Sequence, residues 1–260
     1  MKIFKIILIV ILSILVVAIT SIMVLLLTGK LKFSGIRFDI KTSNKLVYDK
    51  TYEQSFKRIV INSKAADIEI KNSSDDKARL VIYDDNDKAN VVENSETLDV
   101  KINNKKCRFI CFNFTISKVV LYLPTDYADK VQLVNDEGDI TVGTFDKASL
   151  VIDSDTGDIK INSISNVTID SDVGDVRIDR INNYVNVKTD VGDVRIKEAN
   201  LNKDSSIKTD VGDVRITKTN QIFIFPESDV GDVKIGDNYR KADVVLKIKT
   251  DVGDIRVNKK

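Results

Sequence analysis

The chain of 260 residues contains no histidine and no tryptophan, and it has only two cysteines and two prolines. Without histidine, every catalytic triad or general base that relies on an imidazole is excluded. The absence of tryptophan removes an aromatic platform for a sugar ring. A formal net charge of +1 provides no excess of basic residues for nucleic acid.

The two cysteines, Cys107 and Cys111, are four residues apart. On an extended strand this spacing separates the sulfur atoms by ~13 Å, too far for a disulfide unless a turn intervenes. We therefore expect free thiols rather than a disulfide framework. Without histidine or a second cysteine pair, no zinc site is expected either.

The N-terminal segment is the one long apolar run of the chain. Ile6 to Leu27 is a stretch of 22 residues without a charge, flanked on both sides by lysines. A membrane span needs ~20 apolar residues, whereas the apolar part of a cleaved signal is only ~7–15 long. The pattern predicts a cytoplasmic tail over 1–5 and an uncleaved single-pass anchor over 6–28. The rest of the chain would lie outside the cell membrane; a cleaved signal is the alternative.

A phrase resembling Ser/Thr-Asp-Val-Gly-Asp-Val-Arg-Ile occurs seven times in the second half of the chain, at intervals of 17 to 22 residues. A short repeat of this kind is typical of a solenoid, in which one unit cannot bury its apolar face alone. The glycines of the seven units are Gly138, Gly157, Gly174, Gly192, Gly212, Gly231 and Gly253.

Each unit alternates apolar and polar residues on both sides of its glycine. After Gly192, for example, Val194 and Ile196 flank Arg195, a pattern typical of a strand with one buried face. The residue before most of these glycines is valine, which resists the positive φ of a tight hairpin. A type II bend with glycine alone at positive φ fits better. The sequence thus predicts strands joined by arcs and stacked in parallel.

The predicted fold class is all-β, a single-stranded parallel β-helix that follows one transmembrane helix. The general preference of crossover connections favours a right-handed helix. We assign 29–55 to a linker with the first strands and 56–260 to the solenoid domain, with the Gly-Asp repeats over 133–257. Ala66 takes the place of glycine in an upstream, degenerate unit.

Two aspartates recur in every unit, one at two residues before the glycine and one directly after it. The first column is Asp136, Asp155, Asp172, Asp190, Asp210, Asp229 and Asp251. The second column is Asp139, Asp158, Asp175, Asp193, Asp213, Asp232 and Asp254. Stacked like charges cost stability unless they are compensated.

Three interpretations of these columns are open. In the structural one, the first aspartate accepts an N–H two residues on, and the second pairs with the Lys/Arg column of adjacent turns. Alternatively, the aspartates could bind Ca²⁺ and rigidify a stalk, or form a stripe that binds a cationic or glycan partner. Otherwise no cofactor is expected.

A carbohydrate-active β-helix enzyme with paired carboxylates is the alternative from another class. Catalysis needs one constellation of groups with unlike pKa values, whereas these acids repeat uniformly. We therefore predict that the protein is not an enzyme and has no catalytic residues.

The chain resembles a family of bacterial envelope proteins called putative adhesins, a β-strand-repeat domain of unknown function. The resemblance covers roughly 56–260, includes LiaG-like membrane-anchored proteins and extends to the GIN-type adhesin head. Three segments carry it: the repeated motif that begins at Gly138-Asp139-Ile140, the segment 118–124, and Asp67-Ile68-Glu69-Ile70. It implies an anchored, extracytoplasmic solenoid, linked in some relatives to envelope stress responses, and it supplies no catalytic residues.

Together these features predict a cell-membrane protein that acts by binding, as an adhesin or as an envelope-stress accessory protein. The partner would be a protein or a cell-wall polymer. The chain stops three residues after Val257, so the C-terminal unit would leave strand edges open. Such edges favour self-association unless the final lysines block them.

Overall fold

The computed structural model describes residues 39–85, 89–103 and 113–258, and every regular element within these ranges is a β-strand. The first nine strands are β1 (Asp39–Thr42), β2 (Leu46–Tyr52), β3 (Arg58–Ser63), β4 (Ala66–Asn72), β5 (Ala78–Tyr83), β6 (Ala89–Glu93), β7 (Thr97–Ile102), β8 (Asn113–Leu123) and β9 (Lys130–Glu137). The others are β10 (Ile140–Thr156), β11 (Ile159–Val173), β12 (Val176–Val191), β13 (Val194–Ala199), β14 (Ser205–Val211), β15 (Val214–Thr219), β16 (Phe223–Val230), β17 (Val233–Ile235), β18 (Val245–Val252) and β19 (Ile255–Val257).

The repeat glycines divide these strands into two rows of parallel strands. The pre-glycine row contains β7, β3, β9, the second halves of β10, β11 and β12, and then β14, β18 and β16. The post-glycine row contains β8, β4, the first halves of β10, β11 and β12, and then β13, β15, β19 and β17. The two strands of one unit lie in different rows, so the connection at each glycine is an arc rather than a hairpin.

The core lies between the two rows and consists of equivalent aliphatic residues stacked unit on unit. Ile140 pairs with Ile159, which pairs with Val176, and all three are almost completely buried. The alternation read from the sequence produces this core, because successive side chains of a strand point to opposite faces.

The N-terminal end of both rows is closed by antiparallel strands. β6 pairs with β7 at the end of the pre-glycine row, while β5 and then β2 extend the post-glycine row beyond β8. Tyr52 and Phe56 are buried there, with their rings edge to face at 5.0 Å between centroids. The antiparallel strands cover the ends of both rows, and β6 and β2 become the outermost strands there.

Ala66 occupies the place of a repeat glycine, as the sequence predicts. Its unit stacks directly on the unit of Gly138, because β3 pairs with β9 and β4 pairs with the first half of β10. Asp67 and Asp139 are thus 72 positions apart in the sequence but lie in units that are neighbours in space.

The last two units do not stack in chain order. β18 pairs with β14 on one side and with β16 on the other, and β19 likewise lies between β15 and β17. The unit of Gly253 is thus inserted between those of Gly212 and Gly231. The expectation that the C-terminal unit ends the solenoid is wrong: the end is formed by the unit that contains Pro226. A proline lacks the N–H that an interior strand must donate, so an outermost strand accommodates it at least cost.

The all-β class is confirmed, and the right-handed sense stays a prediction. Within the described ranges, no helix has the length and apolar character needed to span a membrane. The predicted anchor over 6–28 lies outside the described residues, as do Cys107 and Cys111 and the two final lysines.

Candidate functional site

The seven arcs stack into one continuous edge of the molecule, which we call the arc edge. All seven glycines have positive φ, from +119° at Gly138 to +157° at Gly212. Among the described residues only Asp76 and Asn258 have a positive φ without being glycine, so the residue before each repeat glycine keeps an ordinary backbone. The glycine φ values exceed the roughly +80° of a type II turn. The type II bend read from the sequence is therefore wrong, although glycine alone does take the positive φ.

Close stacking is a second reason for glycine at these positions. A Cβ atom on Gly192 would lie 2.1 Å from the carbonyl oxygen of Gly174, and the same contact recurs up the stack. The arcs are also hydrogen bonded to one another: the Gly174 N–H donates to Val191 O at 3.0 Å, and the Val176 N–H donates to Asp193 O at 2.9 Å. Any side chain at the glycine would force neighbouring arcs apart.

The second aspartate column forms an uninterrupted hydrogen-bond ladder. Each of these aspartates donates its backbone N–H to the Oδ1 atom of the equivalent aspartate in the preceding unit of the stack. The acceptors, in spatial order, are Asp67, Asp139, Asp158, Asp175, Asp193, Asp213 and Asp254, with donor–acceptor distances of 2.8–3.2 Å. Bonds from N–H groups to charged carboxylates are strong, and they offset the repulsion expected in a row of like charges.

In four units, the other carboxylate oxygen of this column bonds the cation two residues on, namely for Asp175, Asp193, Asp232 and Asp254. Arg177 bonds Asp175 at 2.6 Å and reaches Asp158 of the preceding unit at 3.1 Å. Arg195 repeats the arrangement with Asp193 and Asp175. These contacts form the staggered ion-pair lattice of the structural interpretation.

The first aspartate column behaves differently from the sequence-based expectation. The partner of Asp190, Asp210 and Asp251 is the lysine two residues earlier on the same strand, not a backbone N–H two residues on. The hydrogen bond from Lys208 lowers the pKa of Asp210, outweighing a smaller effect of desolvation.

Three residues before most of the glycines stands a serine or a threonine, whose side chain points into the arc. Thr209 donates to the carbonyl oxygen of Gly192 at 3.2 Å, and Thr250 donates to that of Gly212 at 3.0 Å. Ser228 likewise donates to the carbonyl oxygen of Gly253 at 3.0 Å. The hydroxyl groups of Ser154, Ser171 and Thr189 are buried at the equivalent positions without a hydrogen-bond partner among the described residues, so the space beside the arc, rather than one bond, selects a small side chain.

The residues directly before five of the glycines form an exposed apolar row that was not predicted from the sequence. Five valines, about half exposed at 47–63%, stack in adjacent units and project from the arc edge. We call this row the valine ridge; in spatial order it consists of Val173, Val191, Val211, Val252 and Val230. The sequence shows the valine column, but the alternation of the strands alone does not tell whether an arc residue faces solvent.

The arc edge has no asymmetric group of acids suited to catalysis. Each second-column aspartate accepts a backbone N–H from the next unit of the stack, apart from the one at the open end. Within the part of the chain that the structure describes, no group of three or more Asp, Glu, Cys or His side chains is placed to hold a metal ion.

These features define a class: a repeat protein of stacked β-arcs, whose second aspartate column is hydrogen bonded from unit to unit and whose apolar ridge faces solvent. Residues 56–260 match the Toastrack family DUF4097, and the chain belongs to this family. A comparison of the sequence with curated proteins finds no match.

One solved structure shows the same fold, and two further ones are similar to most of the chain. The crystal structure of a putative adhesin from Bacteroides fragilis is 21% identical, with a TM-score of 0.53 over 84% of this chain and 99% of that one. A putative adhesin from Parabacteroides distasonis is 12% identical, with a TM-score of 0.46 over 84% of this chain and all of that one. A putative lipid binding protein from the same species is 13% identical, with a TM-score of 0.43 over the same shares.

Proposed function

We propose that this protein is a membrane-anchored, extracytoplasmic β-solenoid that works by binding a protein or cell-wall polymer through its valine ridge. It would serve as an adhesin or as an accessory protein of the envelope stress response. The observation that carries the proposal is the exposure of five stacked valines beside an aspartate column whose carboxylates already accept backbone N–H groups.

The energetics favour the ridge over the aspartates as the contact surface. The second-column aspartates accept a backbone N–H, and several also pair with arginine, so a ligand would have to break existing bonds to use them. A partner that covers the valines displaces only water, and the burial of their apolar surface is favourable by ~25 cal/mol per Å². Contiguous exposed apolar patches on a monomer often mark interaction sites.

The uniform engagement of the acids also supports a role without catalysis. The relatives of known structure include putative adhesins, and one is described as a lipid binding protein. Fold alone does not establish function, so the proposal rests on the ridge itself.

The experiment uses the full-length chain in cells of its source organism, with a photo-activated cross-linker carried at Thr156, next to the ridge. We compare the unaltered chain with the Val191→Thr/Val211→Thr double variant, which keeps side-chain shape and strand propensity but adds hydroxyls. Val92→Thr is the matched control, because Val92 is 57% exposed and lies on β6, away from the arc edge.

We expect one specific cross-linked species that the double variant loses and the control retains. A membrane protein in that species would indicate the stress accessory role, whereas wall polymer would indicate adhesion. Equal cross-linking by all three chains would show that the ridge is not the binding surface.

A further inference from the structure

At the end of the solenoid formed by β16 and β17, a core position of the repeat opens to solvent. Val233, two residues after Gly231, is 43% exposed, whereas the equivalent residues of the other six units are 0–1% exposed. Ile235, the next inward-facing position, is only partly buried. This end therefore presents an unfinished layer of the core.

The strand edge of β16 is closed to further pairing. The side-chain amide of Asn238 accepts from the Ile224 N–H at 2.9 Å and donates to the Ile224 carbonyl at 3.0 Å, as a neighbouring strand would. Pro226 lies two residues further on, so its nitrogen faces the same open side and carries no hydrogen. A complete additional unit, which needs both rows, cannot pair here.

The edge of β17 remains available. The Asp232 carbonyl and the Gly236 N–H both bond inward, to Ile255 and Val257 of β19. Backbone groups alternate sides along a strand, so the N–H and C=O groups of Val233 and Ile235 face outward. Among the described residues, no backbone group bonds to them.

The aspartate ladder also ends here with an unused acceptor. Asp232 donates its own N–H to Asp254, and its Oδ2 atom bonds Lys234 at 2.7 Å. In each preceding unit the Oδ1 atom accepts an N–H from the next unit, but Asp232 has no next unit. Its side chain is 68% exposed, compared with 27% for Asp254.

We propose that β17 and Asp232 form an acceptor site for one extended polypeptide strand of a partner protein, added in parallel to the post-glycine row. The strand would donate a backbone N–H to Asp232 Oδ1 and would place an aliphatic side chain over Val233. Peptide backbone is the chemistry that matches alternating N–H and C=O groups at strand spacing. A second copy of this chain is disfavoured, because its end would have to pair with the closed edge of β16 as well.

The test measures binding of a fluorescent peptide to the full-length protein in detergent by anisotropy. The peptide Gly-Asp-Val-Arg-Ile-Thr-Lys-Thr has the sequence of residues 212–219, the post-glycine half of an interior unit. A peptide of the same composition in scrambled order is the ligand control. We expect saturable binding of the repeat peptide only.

Two variants locate the site. Val233→Lys places a charge over the open core and should weaken binding by about tenfold or more, whereas Val92→Lys, at an exposed valine on β6 outside the valine ridge, should not. Asp232→Ala should weaken binding by a similar factor, about tenfold, and Asp232→Asn, which keeps an Oδ1 acceptor, should restore part of it.

Several results would overturn the proposal. One is equal binding of the two peptides, and another is an equal effect of the two lysine variants. A third is concentration-dependent dimerisation in sedimentation equilibrium that Val233→Lys abolishes, because it would identify a second copy as the occupant. Circular dichroism of each variant verifies that the fold is intact.

Discussion

Replacing Gly192 by alanine tests whether the stacked arcs need glycine for packing as well as for backbone conformation. Gly192 has φ +155° and lies in the interior of the stack, where the new Cβ would be 2.1 Å from Gly174 O. Ordinary contact begins at about 3.4 Å, so the two arcs must separate by about 1 Å. A backbone carbonyl cannot swing away as a flexible side chain can.

The loss of stability caused by Gly192→Ala can be estimated from the hydrogen bonds between this arc and its neighbour. Separation by about 1 Å takes three hydrogen bonds of this arc beyond their normal range, each worth ~1 kcal/mol. They join Gly174 N–H to Val191 O, Val176 N–H to Asp193 O, and Asp193 N–H to Asp175 Oδ1. The strained φ adds about 1–3 kcal/mol. A total of about 4–6 kcal/mol is comparable with the whole free energy of unfolding of a typical domain, ~5–15 kcal/mol.

Urea unfolding followed by circular dichroism measures this loss. Gly143→Ala is the matched control, because Gly143 has no positive φ and its Cβ would meet a side-chain atom, Asn72 Oδ1, at 2.9 Å. We expect a loss of about 1 kcal/mol for the control. If Gly192→Ala loses no more than Gly143→Ala, the arcs are not held at the spacing described and the reasoning fails.

Four further predictions concern the ladder, pH, calcium and the open end. Asp193→Ala should destabilise the chain by about 1–2 kcal/mol more than Asp193→Asn in urea, because only alanine leaves the Asp213 N–H without its acceptor. Burial raises the pKa of Glu69, but hydrogen bonds from Lys118 and a second lysine outweigh it and lower the pKa. The folded pKa is thus below the unfolded value of about 4.3, so this contribution is complete above that pH and is lost as pH falls through the folded pKa. Acid titrations monitored by circular dichroism should accordingly show that stability falls less steeply with decreasing pH in Glu69→Gln than in the unaltered chain. Identical titration curves would contradict this. EDTA should leave the melting temperature unchanged, and a marked decrease would support the calcium-stalk alternative. Pro226→Val places an N–H on the outer edge of β16 and makes that edge better able to pair. Sedimentation velocity at high concentration should therefore reveal more self-association than in the unaltered chain.

Much of the local structure is encoded in each repeat. The alternation around Gly192 predicts two strands with one buried face, and a valine before glycine rules out a tight hairpin. The equivalence of Ala66 with the glycines is likewise visible, because the flanking aliphatic pattern is the same. The type II bend was wrong because residue preference reports only the sign of φ, while the close approach of stacked arcs determines its value.

The partners of the charged columns could not be read from the sequence. Asp193 and Asp213 are 20 residues apart, and the bond between them depends on the register of two parallel strands. The Asx bond expected within one unit needs the glycine N–H, which instead donates to the next unit of the stack, as from Gly192 to Val211 O. Asp190, Asp210 and Asp251 pair with lysines instead. The valine ridge depends in the same way on the path of the arc.

The sequence by itself determined the repeating strand–arc–strand unit, since glycine, valine and the buried aliphatics act over a few residues. Only the tertiary structure decided the order in which the units stack. Seven units with nearly the same sequence can pair with one another in the same register, so local preferences do not distinguish neighbours. The order depends on which unit can tolerate an open edge. Pro226 and Asn238 make the sixth unit suited to that place, and the unit of Gly253 therefore lies inside the stack.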